Sequence, residues 1–162
     1  SFIRVPEELD YLKEPDIFHE LFGHGPMLTN PAFSNFTQEV GQFGLKVNKQ
    51  ERAMLARLYW FTVEFGLLNT EEGLRIYGGG ILSSKTETVY ALEDKKPKRM
   101  PFDLLTVLRT PYRYDELQNT YFIIDSIETL YNLLSDNLLD AFHQARELGM
   151  LAPEELDELR SC

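Results

Sequence analysis

Two closely spaced histidines place the strongest constraint on how this chain folds. His19 and His24 lie five residues apart in EPDIFHELFGHGP, Glu14 to Pro26, and the sequence contains only one other histidine. At about 100° per residue, an i,i+5 pair lies roughly 140° apart on a straight α-helix. Both rings can reach one metal ion only if the helix ends between them, and the glycines and proline that close the motif are residues that end helices. We therefore predict a metal site at a helix end, with two ordinary histidines near a helix C-terminus as the alternative.

The histidine spacing can also be compared with that of zinc peptidases, which use HExxH to place two histidines on one helix face. His19 and Glu20 begin such a motif, but the second histidine comes one residue late. The spacing therefore argues against this class.

A carboxylate in an apolar stretch extends the metal-site prediction. Glu64 lies within Leu58 to Phe65, which is otherwise apolar almost all round and predicts a buried helix. A buried carboxylate is costly unless it forms a salt bridge or binds a metal. With His19 and His24 it completes two histidines and one carboxylate, the ligand set of non-haem Fe(II) oxygenases. The third histidine, His143, is expected near a helix C-terminus, where a cation suits the helix dipole, rather than among the ligands.

Start and stop signals predict a mainly α fold with a few short β-strands. The Asn48 helix is expected to run to about Leu68, and one helix is expected to span Ile127 to Phe142. The three glycines at 78–80 match no phosphate-binding motif and are expected where two backbone segments approach closely. Helices are predicted to begin near Pro6, Pro15, Asn30, Asn48, Ser84, Pro101, Ile127 and Pro153, and strands to span Leu74–Tyr77 and Tyr121–Ile124, with an extended segment at Phe2–Val5.

Composition limits the partners. The 162 residues carry a formal charge of −10, and the only dense basic run, Lys95 to Arg99, is expected to be a solvated loop. We therefore expect no nucleic-acid partner and no membrane partner, because a polyanion binder needs a basic surface and no apolar run approaches the ~20 residues of a membrane span. The single cysteine, Cys162, can close no internal disulfide, which predicts a cytoplasmic location.

Three motifs together resemble a known family. EPDIFHELFGHGP, YWFTVEFGL at Tyr59 to Leu67 and YGGGILSS at Tyr77 to Ser84 resemble, in order and spacing, the tetrahydropterin-dependent aromatic amino acid hydroxylases. The resemblance is strongest to bacterial members that act on phenylalanine, and it extends from Ser1 to about Ser126. It implies the catalytic-domain fold of that family and hydroxylation of L-phenylalanine to L-tyrosine with O₂ and a tetrahydropterin cosubstrate. The alternatives are specificity for tyrosine or tryptophan, or a non-catalytic metal-binding or scaffold domain.

The resemblance also implies roles for individual residues. Fe(II) would be bound by His19, His24 and Glu64, and the substrate carboxylate by Arg4, with Ser83 near both that carboxylate and a ligand histidine. The walls of the aromatic pocket would be Trp60, Phe65 and Gly80, and the pterin side would be formed by Glu20, through water, and Tyr59. Without the resemblance, Arg4 would be read as a surface residue and the two aromatic residues as core. Glu87 is expected either to orient Ser83 or Arg4, or to complete a capping box with Ser84.

The extent of the chain predicts its domain organisation. We interpret residues 1–162 as a single catalytic domain. The family's main pterin-binding loop precedes the position that aligns with Ser1, so we expect a fragment; the alternative is a protein with an iron site and half a pterin pocket. No regulatory domain or long coiled-coil helix is present in the sequence, which predicts a monomer or weak dimer.

Overall fold

Short helices make up most of the fold, and one small sheet joins distant parts of the sequence. The computed structural model describes residues 2–9, 14–135 and 138–159. Its α-helices are α1 (Gly25–Leu28), α2 (Pro31–Gly44), α3 (Lys49–Tyr59), α4 (Gly79–Leu82), α5 (Lys85–Glu93), α6 (Leu104–Arg109), α7 (Glu128–Ser135), α8 (Leu138–Leu148) and α9 (Pro153–Leu159). The strands are β1 (Leu67–Thr70), β2 (Gly73–Ile76), β3 (Lys98–Pro101) and β4 (Thr120–Ile124). Pro6–Glu8 forms a 3₁₀-helix, and two π-helical segments, called the first and second π-helix, span His19–His24 and Trp60–Glu64. Within the described ranges, no helix is long and apolar enough to cross a membrane.

The predicted helix starts are confirmed where capping residues mark them. The Asn30 side chain accepts hydrogen bonds from the backbone N–H groups of Ala32 and Phe33 at the start of α2. Asn48 and Glu51 form the reciprocal capping box at the start of α3. These caps satisfy N–H groups that have no partner inside the helix, which explains why both helices begin where the sequence places them.

The sheet contains two strands that the sequence predicts and two that it does not. Its strand order is β2-β1-β4-β3, with β1 and β2 antiparallel and β4 parallel to both β1 and β3. The predicted strands correspond to β2 and β4. The interpretation of the basic run as a solvated loop is wrong at its end, since β3 begins at Lys98. Met100 is buried there and the Arg99 guanidinium donates to the carbonyls of Tyr90, Ala91 and Asp94, so this segment has an inner face.

The predicted extension of the Asn48 helix to Leu68 is wrong. The second π-helix ends at Glu64, and Phe65 leaves helical geometry with φ −126° and ψ 28°. The carbonyl of Gly66 then accepts from the backbone N–H groups of Tyr77 and Gly78, and strand β1 begins at Leu67. A side chain at residue 66 would lie 2.0 Å from the Tyr77 ring, so this turn requires a glycine. Apolar content alone could not separate a buried helix from a buried strand here.

Two further boundaries differ from the predictions. The predicted Ile127 to Phe142 helix is described as α7 and α8, with residues 136 and 137 outside the described chain, and α8 continues to Leu148. Pro101 ends β3 instead of starting a helix, and α6 begins after Asp103, whose side chain accepts from the Thr106 N–H.

The core lies between α2, α3, the second π-helix and β4. The fully buried aromatic residues include Phe33 and Phe36 on α2, Phe61 on the second π-helix and Phe122 on β4. The buried face of α2 is formed by Phe33, Phe36 and Val40, which recur at helical spacing. The second π-helix is anchored in this core, which fixes the position of Glu64 at its end.

Replacing Gly23 by alanine should destabilise the fold, because a Cβ at that position would lie 2.6 Å from the carbonyl oxygen of Gly79. Overpacking of this kind costs about 1–3 kcal/mol. Gly41→Ala is the matched control, since nothing lies within 4 Å of a Cβ there and alanine is favoured within helix α2. Urea denaturation of the metal-free chain should give a lower free energy of unfolding for the Gly23 variant only; equal stability of the two variants would contradict the packing described here.

Candidate metal centre

The two histidines lie on a π-helix, not at a helix end, which corrects the prediction. The first π-helix passes directly into α1, and Gly25 keeps helical angles of φ −50° and ψ −50°. Its N–H donates to the carbonyl of Glu20, five residues earlier. A ladder of i→i+5 bonds brings residues five apart to one face, as an α-helix does for residues four apart. The extra residue between His19 and His24 is accommodated by widening the turn.

The candidate ligand atoms converge on one point. The Nε2 atoms of His19 and His24 are 2.9 Å apart. Glu64 Oε1 lies 3.1 Å from His24 Nε2, and Glu64 Oε2 lies 3.6 Å from His19 Nε2. Neighbouring ligands of an octahedral ion with bonds of about 2.1 Å are separated by ~3 Å, so these atoms fit one face of such an ion. Among the described residues, no other group of three His, Cys, Asp or Glu side chains converges in this way.

Glu64 is carried by the second π-helix. The N–H of Phe65 donates to the carbonyl of Trp60, again five residues earlier, at 2.9 Å. The carboxylate is only partly buried, with 17% of the side chain exposed, and its ion pairs are with the two histidines. Among the described residues, Glu64 therefore forms no salt bridge with Lys or Arg, which was the structural alternative to a metal site.

The three glycines at 78–80 make close backbone contacts around the ligands, as predicted. An added Cβ at Gly78 would lie 2.4 Å from the Glu64 carbonyl oxygen, and at Gly79 it would lie 2.5 Å from the His24 ring. At Gly80 it would meet the Phe65 ring at 2.9 Å. The run therefore lets the start of α4 pack directly against both ligand-bearing segments.

The protonation equilibria of the two histidines are shifted in opposite directions. Burial lowers the pKa of His19, and the Glu64 charge offsets only part of that effect. Burial also acts to lower the pKa of His24, but the hydrogen bond and charge of Glu64 outweigh it and raise that pKa. Because a metal binds neutral imidazole, the lowered pKa of His19 favours the form that binds a metal, whereas the raised pKa of His24 disfavours it.

Ser83 and Arg4 connect the ligands to the cavity. Ser83 Oγ lies 2.8 Å from His19 Nδ1, and the Ser83 carbonyl accepts from Arg4 Nη1. If His19 Nδ1 donates to Ser83 Oγ, Nε2 keeps its lone pair for a metal, the usual arrangement for a ligand histidine. Ser83 thus lies between the predicted carboxylate-binding arginine and a candidate ligand, as the resemblance implies.

Asp16 is a buried residue of the candidate site that the motifs did not predict. Only 2% of the residue is exposed, and its carboxylate accepts from Arg4 Nε at 2.9 Å and Arg4 Nη2 at 2.8 Å. It also accepts from the backbone N–H of His19 at 2.9 Å. The hydrogen bond from Arg4 holds the pKa of Asp16 well below its usual range. An Asp three residues before His19, next to Pro15, has the spacing of a helix cap, which was the available signal.

A cavity of about 700 Å³ opens beside the ligands. Its lining includes His19 and Glu64 and six of the substrate-side and pterin-side residues assigned by resemblance: Arg4, Tyr59, Trp60, Phe65, Gly80 and Ser83. Glu20 is exposed and is not among the lining residues, although its charge contributes, after burial and Glu64, to raising the pKa of Tyr59 to about 12. At neutral pH Tyr59 is therefore protonated and able to donate a hydrogen bond.

Both expectations for the Glu87 carboxylate are wrong. Ser84 does cap α5, since its side chain accepts from the Glu87 N–H, but the Glu87 side chain does not complete a capping box. The carboxylate instead accepts from the Tyr121 hydroxyl and from the Gln118 N–H. Burial raises the pKa of Glu87, and these two hydrogen bonds oppose that effect.

His143 lies apart from the candidate centre, as expected. It is exposed in the middle of α8, because that helix continues to Leu148, so its predicted position near a helix C-terminus is wrong. Its ring Nδ1 contacts Arg146 Nη2 at 2.9 Å. Two residues of the aromatic wall, Tyr112 and Gln118, were not predicted, because contact with Trp60 brings them to the cavity from 52 and 58 residues further along the chain. No local sequence signal marks such a contact.

A family model described as "Biopterin-dependent aromatic amino acid hydroxylase" matches residues 1–142. The chain belongs to this family. The match includes all three candidate ligands and the whole predicted cavity wall.

Several relatives of this hydroxylase chain are named phenylalanine-4-hydroxylase. The protein of that name from Pseudomonas aeruginosa is 56% identical over 153 residues, which are 94% of this chain and 58% of the relative. A solved phenylalanine hydroxylase from Legionella pneumophila superimposes with a TM-score of 0.90 at 51% identity, covering 94% of this chain and 66% of that one. A phenylalanine hydroxylase structure from Chromobacterium violaceum, with bound iron(III) and oxidised cofactor 7,8-dihydrobiopterin, gives a TM-score of 0.85 at 45% identity, covering 94% and 57%. The chain thus spans about three fifths of the length of these relatives.

Replacing Asp16 by asparagine should destabilise the metal-free chain and change its acid sensitivity. Because the folded pKa is depressed, the stabilisation from Asp16 is fully present above its unfolded pKa of about 4 and is lost as the pH falls through the folded value. Leaving Arg4 buried without its partner should cost about 3 kcal/mol at pH 7.

The difference between parent and Asp16→Asn should therefore shrink as the pH is lowered below about 4, measured by thermal unfolding across a pH series. Asp125→Asn is the control, since Asp125 is exposed and accepts only a 3.5 Å contact from Asn69. A parent–variant difference that is independent of pH would refute the paired, ionised state of Asp16.

Proposed function

We propose that this chain forms the metal-binding and substrate-binding part of a hydroxylase that converts L-phenylalanine to L-tyrosine with Fe(II), O₂ and a tetrahydropterin. The observation that carries the proposal is the convergence of His19, His24 and Glu64 beside an aromatic-walled cavity. The names of the relatives and the iron and pterin in the C. violaceum structure support it. We infer that residues 1–162 act as a single catalytic domain, and the lone cysteine favours a cytoplasmic setting.

In this proposal the metal is held on one face only. The two imidazole Nε2 atoms and the Glu64 carboxylate occupy that face and leave the other positions free, which oxygen activation requires. When bound, the iron and the reduced pterin supply the oxygen activation and the electrons for hydroxylation. The chain's own task is to hold the ligands, fix the His19 tautomer through Ser83, and keep water away from the reacting ring.

Arg4 is proposed to bind the substrate carboxylate. The contacts to Asp16 and Ser83 use three of its N–H groups, and a guanidinium has five. The other two N–H groups are available to a ligand carboxylate at the cavity edge. Asp16 fixes the guanidinium plane by its two parallel hydrogen bonds, so the substrate would meet a preoriented donor pair rather than a flexible side chain.

The aromatic ring of the substrate is proposed to lie against Trp60 and Phe65, whose ring centroids are 4.6 Å apart, with Gly80 leaving room beside them. On the other side of the metal, Tyr59 and Glu20 are proposed to face the pterin. Tyr59 would donate a hydrogen bond there, because its raised pKa keeps it protonated at neutral pH.

His19→Ala and Glu64→Ala should each lower Fe(II) affinity by more than about 100-fold, since changes that only disturb ligand orientation already cost 10–100-fold. His143→Ala is the matched control, because His143 is exposed and does not belong to the converging group. Anaerobic titration with Fe(II), followed by calorimetry, measures the difference. Equal affinity in the parent and either ligand variant would refute the metal assignment.

Incubating the chain with Fe(II), reduced pterin, O₂ and phenylalanine should yield tyrosine, and the two ligand variants should yield none. Adding tyrosine and tryptophan as competitors in the same assay tests the alternative specificities, which depend on the shape of the pocket. A chain that binds iron with the affinity of its relatives but forms no hydroxylated product with any of the three amino acids would favour a non-catalytic metal-binding role.

A further inference from the structure

A buried amide at the cavity wall has no role in the site as described so far. Gln118 is 4% exposed and every polar group of its side chain has a partner. Its amide nitrogen donates to the carbonyls of Arg113 at 2.7 Å and Glu116 at 3.1 Å. Its backbone N–H donates to the buried Glu87 carboxylate at 3.1 Å. Hydrogen bonds from its side-chain amide and from its backbone N–H therefore both hold Gln118 in place.

These contacts decide which way the amide points. Because the amide nitrogen donates to two carbonyl oxygens, the amide cannot be flipped, and its oxygen lies on the side of Trp60. There it accepts the indole N–H of Trp60 at 2.9 Å. The Gln118 oxygen is thus a fixed acceptor aimed at the cavity wall.

Trp60 is held at its faces as well as at its edge. Its indole stacks on Tyr112 at 4.5 Å with an interplanar angle of 21°, and packs against Phe65 at 4.6 Å. Ring packing is weakly directional, whereas the N–H bond is directional. The packing restrains the plane of the indole, and the bond to Gln118 adds a directional anchor at its edge.

We propose that Gln118 is a positioning residue that sets the orientation of the substrate's aromatic ring by fixing the indole of Trp60. The inference rests on the proposed function, since Trp60 lines the same cavity as Glu64 and lies four residues before it on the second π-helix. A substrate ring that packs against an anchored indole would keep a defined orientation, whereas an indole free to tilt about its Cβ–Cγ bond would let the substrate ring shift. The competing interpretation is that Gln118 only ties residues 113–118 together.

The first test measures the indole directly. Trp60 is the only tryptophan in the sequence, so the metal-free chain has a single indole N–H signal in a ¹H–¹⁵N NMR spectrum. In Gln118→Leu this signal should move upfield, and its exchange with solvent should become about five- to tenfold faster, the effect expected for one lost hydrogen bond. Gln50→Leu, at the exposed start of α3, is the control and should leave the signal unchanged. An unchanged signal in Gln118→Leu would overturn the proposal.

The second test is a double-mutant cycle on the full chain loaded with Fe(II). Gln118→Leu should raise KM for phenylalanine about fivefold and lower the tyrosine formed per pterin oxidised, while pterin oxidation itself continues at a similar rate. In a Trp60→Phe background, which has no indole N–H, the same change should have no further effect. An effect of equal size in both backgrounds would show that Gln118 acts only on its own loop and would overturn the proposal.

A replacement variant and the activity of the parent chain keep the outcomes of the two tests distinct. If Gln118→Leu does not fold, Gln118→Asn replaces it in both tests, since its shorter side chain withdraws the acceptor but keeps an amide. A parent chain that forms no tyrosine refutes the proposed function, and the NMR result then still decides whether Gln118 fixes Trp60. A parent that forms tyrosine but gives an additive cycle refutes only the role of Gln118.

Discussion

The switch from i→i+4 to i→i+5 hydrogen bonding in two separate helical segments is the constraint on which the candidate centre depends. The Gly25 N–H bonds to the Glu20 carbonyl in the first segment, and the Phe65 N–H bonds to the Trp60 carbonyl in the second. Each widened turn carries ligand atoms, and the two turns face each other. An uninterrupted α-helix would place His19 and His24 roughly 140° apart and would abolish their common face.

Close backbone packing keeps the two segments in this arrangement. The carbonyl of Gly79 lies against Gly23 of the first π-helix, and Gly78 and Gly80 lie against the carbonyl of Glu64 on the second. Helix α4 thus lies between both ligand-bearing segments, and Ser83, the residue that follows its last turn, contacts the His19 ring. The same short helix therefore sets the distance between the ligands and the orientation of one of them.

Polar contacts beyond the candidate ligands link Arg4 to His19. Asp16 joins the Arg4 guanidinium to the backbone of His19, and Ser83 joins the same guanidinium to the His19 ring. A ligand carboxylate bound at Arg4 would act on His19 through two short paths. Glu87 and Gln118 form a second buried polar group, in which Gln118 accepts the indole N–H of Trp60. Two hydrogen-bonded clusters therefore border the cavity, and in the proposed function each would fix one part of the substrate.

The sequence by itself determined the mainly α class, the capped starts of α2 and α3, and the three candidate ligands, because these depend on local patterns or on residue types that few other chemistries need. It also located the glycine run that allows close backbone approach. Only the tertiary structure decided that the first helix widens instead of ending, that residues 67–70 and 98–101 are strands, and that Asp16, Tyr112 and Gln118 belong to the site. The reason is physical: hydrogen bonds such as that from Trp60 to Gln118 and strand pairs such as β1 with β4 form between distant residues. The wider turn of the first π-helix packs against α4, and no local propensity encodes that contact.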